Sequence, residues 1–210
     1  MVFSVIAAVI IGYLLGSIPF AYITARLKKG IDIKQVGSGN VGALAVYREV
    51  GPAFGLAVLA ADVVKGVLAV FIARWLGLDL IWICVAGFAA VAGHNWPCFL
   101  RFRGGKGAAT IMGVLLALMP VQFAIGFGIS VIVVVITSNV RLGMIGLAFV
   151  PLIAWLFGRE PTLVFYSLAL FLFLAIYTLV GLKGELARAG EKKNVVFDKE
   201  YHFWQTKKGG

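Results

Sequence analysis

Apolar residues run along this chain in long unbroken stretches, without the polar stripe that a helix with one wet face would show. Seven stretches stand out, at 2–25, 53–76, 80–100, 107–119, 121–138, 142–157 and 161–182. A bilayer offers the backbone no water, so each is expected as a helix. Residues 107–138 carry no charge over 32 positions, which as one straight helix would span about 48 Å against a hydrocarbon core of about 30 Å. The run must turn, and Met119-Pro120 is the expected break because proline lacks the helical N–H donor. Pro19 and Pro151 are expected kinks in their own spans.

Composition agrees with the pattern. The 210 residues are 61% hydrophobic and 13% charged, whereas a soluble domain carries about 25% charge. The expectation is an all-α integral membrane bundle of seven transmembrane helices over residues 1–182, followed by a basic tail at 183–210. The first span lacks the charged start and short apolar core of a cleaved leader and is expected to stay as an anchor. Cys84 and Cys98, 14 positions apart on one helix, rise about 21 Å from each other and cannot form a disulfide.

A net charge of +10 brings nucleic acid to mind, but its distribution argues otherwise. Sixteen of the nineteen Lys and Arg residues fall in alternate connections and the tail, while only Arg74 and Arg159 fall in the others and Lys65 lies inside a span. The positive-inside rule then places the N-terminus outside and the tail in the cytoplasm, with an odd number of spans. Nucleic acid is therefore excluded as a partner, and lipid is the expected surroundings.

Two cytoplasmic connections carry the chemistry. The first contains Gly37-Ser38-Gly39-Asn40-Val41-Gly42 and then Arg48, so glycines expose backbone N–H groups, Ser38 and Asn40 add side-chain donors, and Arg48 can grip an oxyanion with two bonds. The same residues would also suit a plain turn. The second follows His94 with Arg101, Arg103, Gly104, Gly105, Lys106 and Gly107 and leads straight into a short span, an arrangement that offers helix-start N–H groups and full positive charges to an anion. A basic cluster touching lipid phosphates is the simpler alternative. Neither loop is a Walker A or a dinucleotide fingerprint, since position 100 is Leu100 and no strand precedes the first loop. His94 is a candidate general base or a hydrogen-bonded helix-end residue. Within the second span, Asp62 and Lys65 stand at i,i+3, share a helix face, and are expected to pair, as a structural ion pair or as part of a site. Zinc fails for want of ligands, with two cysteines and two histidines.

Taken together, Gly16-Ser17-Ile18-Pro19-Phe20, Gly37-Ser38-Gly39-Asn40-Val41-Gly42-Ala43 with Arg48, Asp62-Val63-Val64-Lys65-Gly66, Gly93-His94 and Phe102-Arg103-Gly104-Gly105-Lys106-Gly107 resemble the bacterial acyl-phosphate:glycerol-3-phosphate acyltransferase family. The resemblance implies a multi-pass protein of the bacterial inner membrane with its active site facing the cytoplasm. Its implied substrates are acyl phosphate and glycerol 3-phosphate, acylated at the sn-1 hydroxyl to give lysophosphatidic acid. It implies catalytic roles for Ser38, Arg48, His94 and Lys106, with Gly37, Gly39, Asn40, Gly42, Arg103, Gly104, Gly105 and Gly107 around the substrates and no cofactor or metal. The second half departs from the family. Residues 139–143 read Asn-Val-Arg-Leu-Gly where a serine is usual, which makes Arg141 a candidate substrate contact, and 178–183 lack the usual histidine and asparagine. The alternatives are a diverged paralogue of low activity and a transporter or channel for an anionic solute; no internal repeat supports the latter.

Overall fold

A computed structural model describes residues 1–37, 39–137 and 139–188, with backbone alone for Arg141 and 182–188. Ser38 and the tail beyond 188 therefore lie outside the described residues. Every described element is a helix: α1 (Val2–Ser17), α2 (Phe20–Lys29), α3 (Ala43–Glu49), α4 (Pro52–Trp75), α5 (Leu80–Asn95), α6 (Ala108–Leu118), α7 (Pro120–Thr137), α8 (Val140–Gly143), α9 (Ile145–Ala148), α10 (Val150–Leu156) and α11 (Pro161–Arg188), with one 3₁₀ turn at Cys98–Leu100.

Among the described residues five stretches are long and apolar enough to cross a membrane, and the segments Ala108–Leu118 and Ile145–Leu156 are apolar but shorter. All seven expected stretches are thus helical, while only five have spanning length. The break after Leu118 falls at Met119, whose φ of -142° and ψ of 67° lie outside the helical region and turn the chain before Pro120 begins α7. The first stretch is interrupted at Ile18-Pro19, because a residue before proline is pushed out of the helical region. The stretch at 142–157 is not one helix. It is divided into α8, α9 and α10 with joints at Met144 and Phe149, where Gly146 sits against the Ser130 backbone and Pro151 supplies no N–H donor. At the other end α11 continues through 183 to Arg188, so regular structure enters the segment read as tail.

The outer surface is apolar, with Phe3, Trp75 and Ile136 among the most exposed side chains, as suits a molecule whose solvent is lipid. The interior is built from small residues instead. Gly12 and Gly16 of α1 lie on the Ala86 and Ala90 carbonyls of α5, and Gly66 of α4 lies on Thr110 of α6 while Gly113 of α6 lies on Val63 of α4. A β-carbon at any of these positions would collide with backbone. Lipid tails are as apolar as leucine, so close backbone approach between small residues is what holds such helices together.

Candidate active site

The break between α1 and α2 opens one wall of a small pocket. Ile18 and Pro19 lie there with Ser17, whose buried hydroxyl has no hydrogen-bond partner among the described residues. Gly93 of α5 packs directly on Tyr13 and Ser17 of α1, and this contact holds the next residue, His94, beside the break. Trp96 reinforces the same end of α5 through edge contacts with Phe173 and Tyr177 of α11 at 5.9 and 5.4 Å between ring centroids.

After α5 the chain folds back on itself. The Gly104 N–H donates to the Asn95 carbonyl and the Gly105 N–H to the His94 carbonyl, both at 3.1 Å. Helix-end carbonyls that lack a partner within the helix are satisfied in this way. The return is possible only without side chains. A β-carbon on Gly105 would strike His94 Nε2 and stand 2.6 Å from the Val41 carbonyl, and one on Gly104 would strike the His94 carbonyl. Arg101 and Phe102 both have positive φ, 54° and 59°, a conformation non-glycine residues rarely adopt, and they aim the following glycines back at α5. Gly107, φ 82°, begins α6 against the Asn95 side chain.

The fourth wall carries charge. Lys65 Nζ lies 2.8 Å from Asp62 Oδ1, and His94 Nδ1 lies 3.5 Å from the same oxygen. The three side chains are 3%, 2% and 8% exposed, so the pair expected from i,i+3 spacing is present and reaches a residue 32 positions along the chain. Lys65 Nζ also stands 3.4 Å from the Ile18 carbonyl, an oxygen close to the α1–α2 break.

The pocket therefore gathers Asp62, Lys65, His94, Gly104 and Gly105 from the candidate set and joins them to Val41 of the first glycine-rich loop. Asn40 and Gly42 flank Val41 in sequence. Gly37 and Gly39 both have positive φ, 54° and 70°, and Gly37 faces the Glu49 carboxylate. Arg48 and Lys106 are half-buried and lie outside the pocket lining, Arg48 on α3, which is seated on α4 where Gly55 fits under Tyr47, and Lys106 immediately before Gly107. Arg103 is exposed. Arg141 lies on α8, which packs on α7 and α9, and its side chain is outside what is described, as is Ser38. No cluster of metal-ligating side chains occurs among the described residues.

Ser17, Asn95 and Thr110 were not among the sequence candidates. All three are buried, and the Ser17 and Thr110 hydroxyls and both polar atoms of the Asn95 amide lack a hydrogen-bond partner among the described residues. Ser17 stands in the Gly16-Ser17-Ile18-Pro19-Phe20 segment of the resemblance and Asn95 stands next to His94, which are the signals that could have singled them out.

Comparison with known proteins gives a consistent picture. A family model described as glycerol-3-phosphate acyltransferase matches residues 6–189. Glycerol-3-phosphate acyltransferase 1 of Dehalococcoides mccartyi is 38% identical over 198 residues, covering 91% of this chain and 95% of its own. The glycerol-3-phosphate acyltransferase of Desulforudis audaxviator is 44% identical over 150 residues, 71% of this chain and 75% of its own. Among solved structures, the integral membrane glycerol 3-phosphate acyltransferase PlsY in its glycerol 3-phosphate form superimposes with a TM-score of 0.79 at 31% identity, covering 89% of this chain and 94% of that one. A lysophosphatidic acid form of that protein matches with a TM-score of 0.77.

Proposed function

The chain belongs to the glycerol-3-phosphate acyltransferase family, and from that membership we propose that it transfers a fatty acyl group from acyl phosphate to the sn-1 hydroxyl of glycerol 3-phosphate. The observation that carries the proposal is the meeting of the two glycine-rich loops at Val41 and Gly105, beside His94. A site that joins two anionic substrates needs two donor-rich surfaces in contact, and these loops supply them. The solved PlsY forms carry the acceptor and the product of such a reaction.

Acyl phosphate is a mixed anhydride and is already activated. The hydroxyl oxygen attacks the acyl carbon, the bond from that carbon to the phosphate oxygen breaks, and inorganic phosphate departs. The hydroxyl proton passes to a phosphate oxygen or to His94. The protein's task is to hold the two substrates in line and to stabilise the charge that develops on the carbonyl oxygen. In this reading Ser38, Asn40 and Arg48, with the N–H groups of Gly37 and Gly42 on a turn that Gly39 closes by donating to the Val36 carbonyl, bind one phosphate. Lys106, Arg103 and the N–H group of Gly107 bind the other, on the bend that Gly104 and Gly105 fix by donating to the Asn95 and His94 carbonyls, and Arg141 contributes from the second half. No metal or diffusible cofactor is required. The distribution of basic residues supports an N-terminus outside, both loops and the tail in the cytoplasm, and an odd number of crossings, which is seven when the two shorter apolar segments also cross.

Purified protein given palmitoyl phosphate and glycerol 3-phosphate should produce lysophosphatidate and phosphate in equal amounts. Turnover with palmitoyl coenzyme A but none with palmitoyl phosphate would overturn the assignment of the donor.

A further inference from the structure

Two full charges inside an apolar bundle need a reason. Withdrawing Asp62 and Lys65 from water is costly, and an apolar pair of similar volume on α4 would pack as well or better. Their mutual contact explains how the charges tolerate burial, not why they are there. The contacts each makes with other parts of the chain are more informative. The Asp62 carboxylate faces His94 Nδ1 of α5, and Lys65 Nζ faces the Ile18 carbonyl at the break between α1 and α2.

An imidazole has two nitrogens, and the partner of one decides the state of the other. Here one nitrogen is on Asp62 and the other abuts Gly105 at the pocket. We propose that Asp62 is a positioning residue for His94: it accepts the Nδ1–H and so turns an Nε2 lone pair toward the pocket, while Lys65 ties the carboxylate to the α1–α2 break. An Nε2 lone pair accepts a hydroxyl O–H, whereas the opposite tautomer would offer a second donor among donors. The occupant it favours is therefore the hydroxyl of the acceptor, not either phosphate. The 3.5 Å separation is at the outer edge of hydrogen-bonding distance, as is common in sites that tighten once substrate is bound. The kinetic consequence rests on the acyltransfer reading; the orientation of the ring does not.

The chain has two histidines, His94 and His202, so His202→Gln leaves a single imidazole in the full-length protein. Nitrogen-15 histidine labelling of that variant in detergent separates the tautomers by the shifts of Nδ1 and Nε2. The expected spectrum shows Nδ1 protonated and Nε2 bare. Asp62→Asn should abolish this state, because the amide can donate to Nδ1. An Nε2–H tautomer before the change, or a spectrum that Asp62→Asn leaves as it was, overturns the proposal. Because this reading needs no turnover, a protein that makes no lysophosphatidate refutes the assigned reaction while the tautomer is still measured.

Kinetics supply the second arm. Asp62→Asn should lower kcat at least about tenfold, within the usual range for a positioned proton acceptor, with KM for glycerol 3-phosphate within about threefold of its starting value. On a His94→Gln background the same change should have almost no further effect, since the two act as one unit. Asp62→Asn also leaves Lys65 unpaired, so Asp62→Asn with Lys65→Met removes both charges. A purely structural ion pair would regain wild-type turnover in that double variant; a positioning carboxylate would not, and recovery would overturn the proposal.

Discussion

Gly105→Ala is the most direct test of the site's geometry, because the change is a single methyl group at a position without backbone strain of its own. The new β-carbon would stand 2.6 Å from the Val41 carbonyl oxygen and closer still to His94 Nε2. Reaching ordinary contact at about 3.5 Å requires a shift of about 1 Å by the imidazole, by the Val41 peptide or by the returning loop. Overpacking of this kind costs about 1–3 kcal/mol of stability. In a site that works by alignment, a displacement of about 1 Å costs on the order of 100-fold in rate, equivalent to roughly 2.7 kcal/mol of transition-state stabilisation. The assay is initial-rate kinetics with palmitoyl phosphate and glycerol 3-phosphate, paired with thermal unfolding in detergent. Gly128→Ala is the control: nothing lies within 4 Å of its β-carbon position on α7, so activity should be unchanged and stability equal or slightly higher, by up to about 1 kcal/mol. If Gly105→Ala keeps kcat/KM within about threefold of wild type, the placement of His94 and Val41 against this glycine is not what sustains turnover.

Arg48→Ala and Lys106→Ala should each lower kcat/KM at least about tenfold, roughly 1.4 kcal/mol, and wild-type kinetics for both would remove them from the phosphate sites. A cysteine at Lys34, in a background with Cys84 and Cys98 replaced by alanine, should escape an impermeant thiol reagent in intact cells; strong labelling would reverse the topology. Direct transfer requires a ternary complex, so double-reciprocal plots should intersect and intact-mass measurement after incubation with acyl phosphate alone should show no acyl adduct. Parallel plots and a trapped adduct would establish a covalent route instead.

Residues 107–138 show how much of the fold can be read from the chain. An uncharged run too long for the bilayer must turn, and proline marks where, so the break at Met119 follows from length and covalent geometry alone. The pairing of Asp62 with Lys65 was equally legible, since helix periodicity places i and i+3 side by side. Their link to His94 was not. No spacing rule connects positions on different helices, and the glycine contacts that bring α1, α4 and α5 together depend on which small residue meets which carbonyl. The division of 142–157 into three helices was hidden for a related reason: Gly146 is tolerable in any membrane helix until it is pressed against Ser130. Asn95 is an ordinary residue in sequence and Ser17 is one member of a motif with no role of its own attached; burial without a hydrogen-bond partner among the described residues distinguishes both.

The chemistry assigned to this chain accounts for its scarcity of polar side chains. An enzyme that must activate a poor electrophile needs a nucleophile, a base and an orienting group, each held by others, and such networks are expensive to bury in lipid. An activated anhydride shifts the burden to alignment and to donors for developing charge. Backbone N–H groups can provide those donors with no rotamer entropy to lose, provided the chain bends sharply and carries no β-carbon where backbones meet. Glycine-rich loops returning onto the end of an α-helix bend sharply enough and carry no β-carbon in the way; here the Gly104 and Gly105 N–H groups are engaged in fixing the bend to α5 carbonyls. The charges that remain buried are then expected where a proton must be directed, and Asp62, Lys65 and His94 are found together at that place. Loss of activity should accordingly track backbone displacement at the glycines more closely than removal of any single hydroxyl, which makes the Gly105 and Asp62 variants the informative pair.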